Sequence, residues 1–219
     1  MAKNIIDLTH PMDESTPPFP GNPPVEIGIL AEIPENHPAG KPGYGNSCTF
    51  KTSVHTGTHM DAPFHFYRYH PTIDQIPLDR CMGHTLLIDL SDKAPNAEIT
   101  PADLEPYEEK IRAIPRVVLN IGWAVHWGEE MFFTDFPVIT AEAAQFLVDC
   151  DTELIGVDTP SVDKAPNESH FIILGNDTII VENLTNLDLI GADEFHLIAL
   201  PLKITGRDGS PVRVAAVVE

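Results

Sequence analysis

The chain contains little positive charge. Lysine and arginine together number 13, whereas aspartate and glutamate number 33, so the formal net charge is −20 at pH 7. A field of this sign repels phosphate groups. Nucleic acids and anionic membrane surfaces are therefore excluded as favourable partners, because binding to them depends on positive side chains.

Cysteine is also scarce, and long apolar runs are missing. Cys48, Cys81 and Cys150 are widely spaced and form no C-x-x-C pair, which argues against a disulfide framework and for free thiols in a reducing compartment. No run approaches the roughly 20 apolar residues that a membrane span requires, and the first residues contain no apolar signal segment. These features predict a soluble, cytoplasmic protein.

The length and the pattern of apolar residues predict one folded domain. With 219 residues, 42% of them hydrophobic, the chain can build one sizeable core over residues 1–219 and is short for two. Thr100 and Thr140 are N-cap candidates, for a helical segment that Pro106 splits and for a helix over residues 141–149. Many strands and few helices indicate a mixed α/β domain. Strands are predicted at residues 4–8, 25–33, 47–54, 85–90, 116–121, 153–157, 171–174, 178–181, 197–204 and 212–218, the last two forming a hairpin.

Three histidines and an aspartate fall within residues 55–65, which read H-T-G-T-H-M-D-A-P-F-H. Ten histidines spread evenly over the chain would place about half of one in this segment, so composition does not account for the cluster. Imidazole and carboxylate are what cations such as zinc and manganese prefer, which makes His55, His59 and Asp61 candidate ligands. Gly57 and Pro63 argue against a helix and favour a shaped turn after the preceding strand.

Three protein ligands leave coordination positions open, which is typical of a catalytic metal site. A metal held in this way activates water and polarises a carbonyl, so the cluster indicates hydrolysis of a small-molecule substrate. His65 lies beyond the ligands and is a candidate acid/base. The alternative is that these side chains only form ordinary hydrogen bonds in a turn. For six histidines without comparable neighbours we prefer a structural or exposed position: His10, His37, His70, His84, His126 and His196.

A second pair, His170 and Glu182, is separated by two apolar segments with Gly175-Asn-Asp177 between them. If both segments are strands, they form a hairpin whose ends meet, and the two side chains then face one site. Spacing alone leaves open whether they bind metal. If they join the first cluster, Asp61 is placed to bridge two cations in the manner of two-metal hydrolases.

Residues 55–65 resemble the H-x-G-T-H-x-D-x-P-x-H signature of the cyclase-like metal hydrolases, a family that includes bacterial kynurenine formamidase (arylformamidase) and isatin hydrolase. The resemblance covers nearly the whole chain. It includes the segments Ile6-Asp-Leu-Thr9, Pro20-Gly21, residues 156–163, His170 followed by Glu182-Asn183-Leu184, and residues 201–213.

The resemblance implies a role for each matching residue. His55, His59 and Asp61 would bind a first divalent metal, zinc or manganese, and Asp61 would also reach a second held by His170 and Glu182. His65 would be the catalytic acid/base. The implied fold is the family's swivelling β/β/α domain, assembled as a homodimer or homotetramer.

Three interpretations of the function remain open at this stage. The leading one is hydrolysis of an amide-type C–N bond, with arylformamidase as the named reaction. The second is hydrolysis of a cyclic amide or lactone such as isatin, and the third is a non-catalytic metal- or ligand-binding relative. Kynurenine formamidases tend to carry tryptophan where this chain has Phe19, so the substrate lining, with Phe19, Trp123 and the loop 32–46 as candidates, separates the first two.

Overall fold

The computed structural model describes residues 4–218. Its strands are β1 (Asn4–Asp7), β2 (Glu26–Ala31), β3 (Ser47–Lys51), β4 (His59–Asp61), β5 (Met82–Asp89), β6 (Glu98–Ile99), β7 (Arg116–Asn120), β8 (Val138–Ile139), β9 (Leu154–Val157), β10 (Ile179–Glu182), β11 (Glu194–Pro201) and β12 (Gly209–Val218). Its α-helices are α1 (Pro101–Leu104), α2 (Glu108–Ala113), α3 (Met131–Thr134), α4 (Ala141–Asp149) and α5 (Glu168–Gly175). Five short 3-10 turns join them: Pro63–His65, Ile73–Gln75, Glu105–Tyr107, Trp123–His126 and Leu187–Leu189.

Seven of the strands close into a barrel. Their order is β12-β11-β5-β7-β9-β10-β4, and the ring closes because β4 pairs with both β10 and β12. Strands β5, β7, β9 and β10 are parallel, so the chain between them crosses over through helices. Strand β1 extends the sheet beside β12, and β2 and β3 form a separate two-stranded arm.

The barrel wall separates two apolar cores. Val118 of β7 belongs to the cluster inside the barrel, together with Met60 of β4, whereas Val117 and Leu119 belong to the cluster beneath the helices. This division follows from the alternation of side chains along a strand. Because Met60 faces inward, His59 and Asp61 face the outer, helix-covered side of the wall.

The helices are short, and their starts follow from local sequence. The Thr140 hydroxyl accepts a hydrogen bond from the amide of Ala143 at 3.2 Å and caps α4, which has nine residues. Thr100 and Asp103 form a reciprocal capping box at α1. Over residues 4–218, no helix combines the length and apolar character needed to cross a membrane.

The mixed α/β class predicted from the sequence is confirmed, and the α4 boundaries agree with the prediction. The predicted strand at 85–90 begins earlier, at Met82, and the one at 197–204 lies three residues earlier, as Glu194–Pro201. The last two strands do pair antiparallel. The strand predicted at 171–174 is wrong, because this segment lies within helix α5.

Candidate metal centre

The first group of metal-binding side chains comes from the turn before β4 and from β4 itself. His59 and Asp61 are two residues apart on a strand and so share a face. His55 precedes them in a turn where Gly57 adopts φ +64°, a conformation that favours glycine. A Cβ atom at position 209 of β12 would lie only 2.9 Å from Cε1 of His55. Because Gly209 has none, this strand can approach the imidazole closely.

The second group comes from β10 and α5, as separate elements rather than as the two ends of a hairpin. Glu182 lies directly opposite His59 in the register of β10 and β4, which brings the two side chains together. His170 lies in the first turn of α5, and its Nε2 is 3.4 Å from Oε1 of Glu182. The predicted pairing of His170 with Glu182 is thus present, but through a helix and a strand.

Asp61 lies between the two groups. Its Oδ1 is 2.7 Å from Nδ1 of His55 and 3.3 Å from Nε2 of His59. Its Oδ2 is 3.8 Å from Nε2 of His170. The donor atoms of His55, His59 and Asp61 lie within 4.8 Å of one another, and so do those of Asp61, His170 and Glu182.

Each of the three imidazoles that face Asp61 uses its other nitrogen for a hydrogen bond. His59 Nδ1 donates to the carbonyl of Gly57 at 2.8 Å. His170 Nδ1 donates to Asp163 at 2.6 Å, and His55 Nε2 donates to Asp208 at 2.6 Å. Such outer partners fix the orientation of metal-binding histidines in proteins.

The electrostatics of this cluster favour positive charge. Burial is the largest single effect on His55 and His59 and opposes their protonation. The charge of Asp61 and the hydrogen bonds to carboxylates together outweigh burial and raise the pKa of His55 to about 9 and that of His59 to about 10. Burial likewise opposes ionisation of Asp61, yet the charges of His55 and His59 hold its pKa well below the usual range. In the metal-free chain, protons therefore balance the buried carboxylates.

The donor set fits a divalent cation. Nitrogen and carboxylate oxygen donors suit zinc and manganese, and both carboxylates are almost fully buried, with Asp61 1% and Glu182 4% exposed. Buried carboxylates need a positive partner, and a bound cation supplies one. His55, His59 and Asp61 would hold one ion, and Asp61, His170 and Glu182 a second.

His65 lies beside this centre, on the 3-10 turn Pro63–His65. Its ring centroid is 4.1 Å from that of His55 and 6.3 Å from that of His170. Burial lowers the pKa of His65 below its ordinary value of 6.5, so the ring is neutral at pH 7 and able to accept a proton.

A cavity of about 230 Å³ opens above these side chains, with aromatic walls formed by Phe19, Phe66, Trp127 and Phe133. Phe19 thus lines the cavity as expected from the sequence. Trp123 does not: it is buried in the core, and its Nε1 donates to the carbonyl of Phe132 at 3.0 Å. Trp127, four residues further on, stands in its place, stacked on His10 with 3.9 Å between ring centroids. Among residues 4–218, none from the loop 32–46 lines this cavity.

The protein is a metal-dependent hydrolase. The evidence for this class is a closed barrel with a His/carboxylate centre on its outer face, beneath an aromatic cavity. Residues 6–164 match the Cyclase family model, described as "Putative cyclase". The chain belongs to this family. The resemblance noted at residues 55–65 is confirmed by this match.

Comparisons with individual proteins agree with the family assignment. The chain is 31% identical to a kynurenine formamidase of Bordetella petrii over 96% of each chain. Its fold is similar to that of isatin hydrolase A from Labrenzia aggregata, with a TM-score of 0.86, 27% identity and coverage of 99% of this chain and 94% of that one. A structure described as a potential metal-dependent hydrolase with cyclase activity has a TM-score of 0.80 and 25% identity, over 100% and 99% of the chains.

Proposed function

We propose that the protein is a metal-dependent hydrolase of an amide-type C–N bond and that N-formylkynurenine is its substrate. The observation that carries this proposal is the position of Asp61, whose two oxygens face two groups of buried donors at the floor of an aromatic cavity. The Bordetella petrii relative, a kynurenine formamidase, supports the choice of an aryl formamide.

The chain's own residues divide the reaction between binding and proton transfer. Phe19, Phe66, Trp127 and Phe133 bind the aryl group and exclude water from it. When bound, the divalent cation supplies Lewis acidity, polarising the formyl carbonyl and lowering the pKa of a water. His65 takes a proton from the attacking water and returns it to the leaving nitrogen, so that an aryl amine and formate are released. Since its Nδ1 faces Asp208, Nε2 is the atom that exchanges the proton.

The test is turnover of N-formylkynurenine, isatin and a small aryl lactone by the metal-loaded protein. We expect kcat/KM for the formamide to exceed that for isatin by at least about tenfold, a transition-state difference of roughly 1.4 kcal/mol. A preference for isatin would contradict the assignment, and the isatin hydrolase neighbour together with Phe19 favours that second candidate. A metal-loaded protein inert toward all three would indicate a binding protein instead.

We further propose zinc or manganese, in one or two ions per chain, as the metal. Both accept His, Asp and Glu donors, and availability decides between them. Metal analysis of the protein as purified, followed by reconstitution with each ion, identifies the one that supports turnover. This choice would be contradicted if neither zinc nor manganese restored full activity to the metal-free protein.

Metal affinity is expected to increase with pH. His55 and His59, with pKa values raised to about 9 and about 10, are protonated at pH 7 in the metal-free chain, and the metal must displace these protons. Affinity should therefore rise about tenfold per pH unit for each proton displaced, and level off as the pH passes the raised pKa values. Chelator competition at pH 6, 7 and 8 measures the slope, and an affinity that does not change over this range would contradict it.

We also propose that the chain acts as a homodimer, or as a homotetramer built from it, in which a second copy covers the two-stranded arm. One face of this arm is apolar and carries Ile27, Ile29 and Phe50, because Ile27 lies opposite Phe50 and Ile29 follows two residues along the strand. Ile29 is 67% exposed and Phe50 is 52% exposed. A two-stranded ribbon without a covered apolar face is marginally stable. Replacing Phe50 with Asp should shift the protein toward monomer in sedimentation velocity, whereas the matched surface change Glu26→Gln should not. A monomeric wild type would refute the proposal.

The cytoplasm is proposed as the compartment, because Cys48, Cys81 and Cys150 are free thiols, two of them buried. Recovery of the protein in the cytosolic fraction of its host would support this, and export would contradict it.

A further inference from the structure

Asp208 lies immediately before β12, beside the segment that carries the candidate catalytic side chains. Its carbonyl accepts a hydrogen bond from the amide of Ala62 at 2.9 Å, which fixes it to the chain between Asp61 and His65. The next residue, Gly209, lies opposite Asp61 in the register of β12 and β4. The pairing of β12 with β4, continued by this hydrogen bond, thus holds the Asp208 backbone against the metal centre.

The carboxylate of Asp208 faces two imidazoles at once. Its Oδ2 is 2.6 Å from Nε2 of His55 and 3.6 Å from Nδ1 of His65. The two rings are 4.1 Å apart between centroids and inclined at 32°. One carboxylate oxygen therefore lies at the junction between a metal-binding histidine and the candidate acid/base.

This position distinguishes Asp208 from the other outer partners of the metal-binding histidines. Asp163 is buried and gives both its oxygens to His170, one to the ring and one to the backbone amide. The carbonyl of Gly57 serves His59. Of these three acceptors, Asp208 is the one that also faces His65.

We infer that Asp208 is a positioning residue that couples the metal ligand His55 to the acid/base His65. This inference rests on the proposed function for the role of His65. Asp208 accepts a hydrogen bond from Nε2 of His55, which directs Nδ1 toward Asp61. The same oxygen lies 3.6 Å from Nδ1 of His65, where its negative charge favours a ring orientation with Nδ1–H toward it. Outer partners of this kind typically contribute 10–100-fold, as a rough guide, to metal affinity or activity.

The competing assignment is that Asp208 itself binds an ion. The donor atoms of His55, His65 and Asp208 also lie within 4.8 Å of one another. A positioning residue and a ligand differ in one measurable property: removing the first weakens binding without changing how many ions bind at saturation, whereas removing the second lowers that number.

The test compares Asp208→Asn and Asp208→Ala with Asp92→Asn, which removes the same charge from an exposed turn. Ion number and affinity are measured on metal-free protein by chelator competition with zinc, and kcat and KM on the loaded protein. We expect the ion number to stay unchanged. Affinity and kcat should fall about 10–100-fold in Asp208→Ala, and less in Asp208→Asn, whose amide oxygen still accepts a hydrogen bond. KM and the Asp92→Asn control should remain within about twofold of wild type.

Two results would overturn the inference. Affinity and kcat within about twofold of wild type in both Asp208 variants would show that it positions neither histidine. Loss of a whole ion per chain at saturation would show that it is a ligand. If Asp208→Ala does not fold, Asp208→Asn alone decides, because an amide preserves the side-chain volume. If the wild type hydrolyses no substrate, the proposed function fails, whereas the zinc affinities still test the contact with His55.

Discussion

Replacing Asp61 with alanine is expected to abolish tight metal binding and turnover together. Asp61 is the carboxylate common to both donor groups, with Oδ1 toward His55 and His59 and Oδ2 toward His170. Its loss removes one donor from each group and the negative charge that raises the pKa of the facing histidines. Because metal Lewis acidity is worth several kcal/mol, kcat/KM should fall by about 10³-fold or more.

A matched variant, Glu182→Gln, separates a shared carboxylate from one that serves a single group. Glu182 is a donor in the group with Asp61 and His170, and its Oε2 also lies 3.4 Å from Nε2 of His59, so its amide should weaken the ion of its own group far more than the other. Asp61→Ala should instead affect every ion that the chain binds. Metal analysis at saturation and chelator competition distinguish the two patterns, with circular dichroism as the control for folding. Retained turnover in Asp61→Ala after complete metal loss would refute a metal-dependent mechanism.

The first half of the centre is predictable from sequence because its geometry is local. His55, His59 and Asp61 lie within seven residues, and a strand places His59 and Asp61 on one face whatever the rest of the fold does. The closure of the barrel is not predictable in the same way. Strand β4 has only three residues, two of them polar, and its pairing with β10 and β12 depends on segments more than a hundred residues away.

The second half of the centre, which His170 and Glu182 supply, is less predictable from sequence because His170 lies on helix α5. The run Phe171-Ile-Ile-Leu174 is short, apolar and partly β-branched, so it fits a buried strand as well as a buried helix. In the fold, Ile173 and Leu174 pack into the core beneath the helices, while the carboxylate of Asp163 binds the His170 amide in the first turn. That tertiary contact satisfies an otherwise unpaired amide of the helix start, and no local pattern indicates it.

The substrate lining and the role of Asp208 could not be predicted from the sequence for one reason: both depend on contacts between distant parts of the chain. Trp123 and Trp127 are four residues apart, and sequence offers no reason to choose between them. The fold decides, because a hydrogen bond to Phe132 anchors Trp123 in the core and leaves Trp127 at the cavity. Asp208 lies in Gly206-Arg-Asp-Gly209, a composition that indicates a turn. Its role at His55 becomes visible only when β12 is placed beside β4.

If His65 is the acid/base, replacing it with alanine should leave metal binding intact and remove most of the turnover. His65 lies outside both donor groups that contain Asp61, so ion number and affinity should stay close to wild type. Positioned proton transfer typically contributes about 10²–10⁴-fold, and kcat should fall by that factor with little change in KM. Metal analysis and steady-state kinetics on the same preparation measure both quantities.

The pH profile tests whether the loss reflects proton transfer rather than structure. A base must be unprotonated to act, and burial lowers the pKa of His65 below 6.5, so wild-type kcat/KM should hold at pH 7 and decline as the pH falls through that lowered pKa. With the metal kept at saturating concentration at every pH, this decline should disappear in His65→Ala, and added imidazole should restore part of the rate. His65→Gln, which can hydrogen-bond but not carry the proton, should be as slow as the alanine variant. An unchanged kcat would remove His65 from the mechanism, and a kcat loss that tracks metal loss would make it a ligand, since a proton carrier and a ligand cannot give the same pair of measurements.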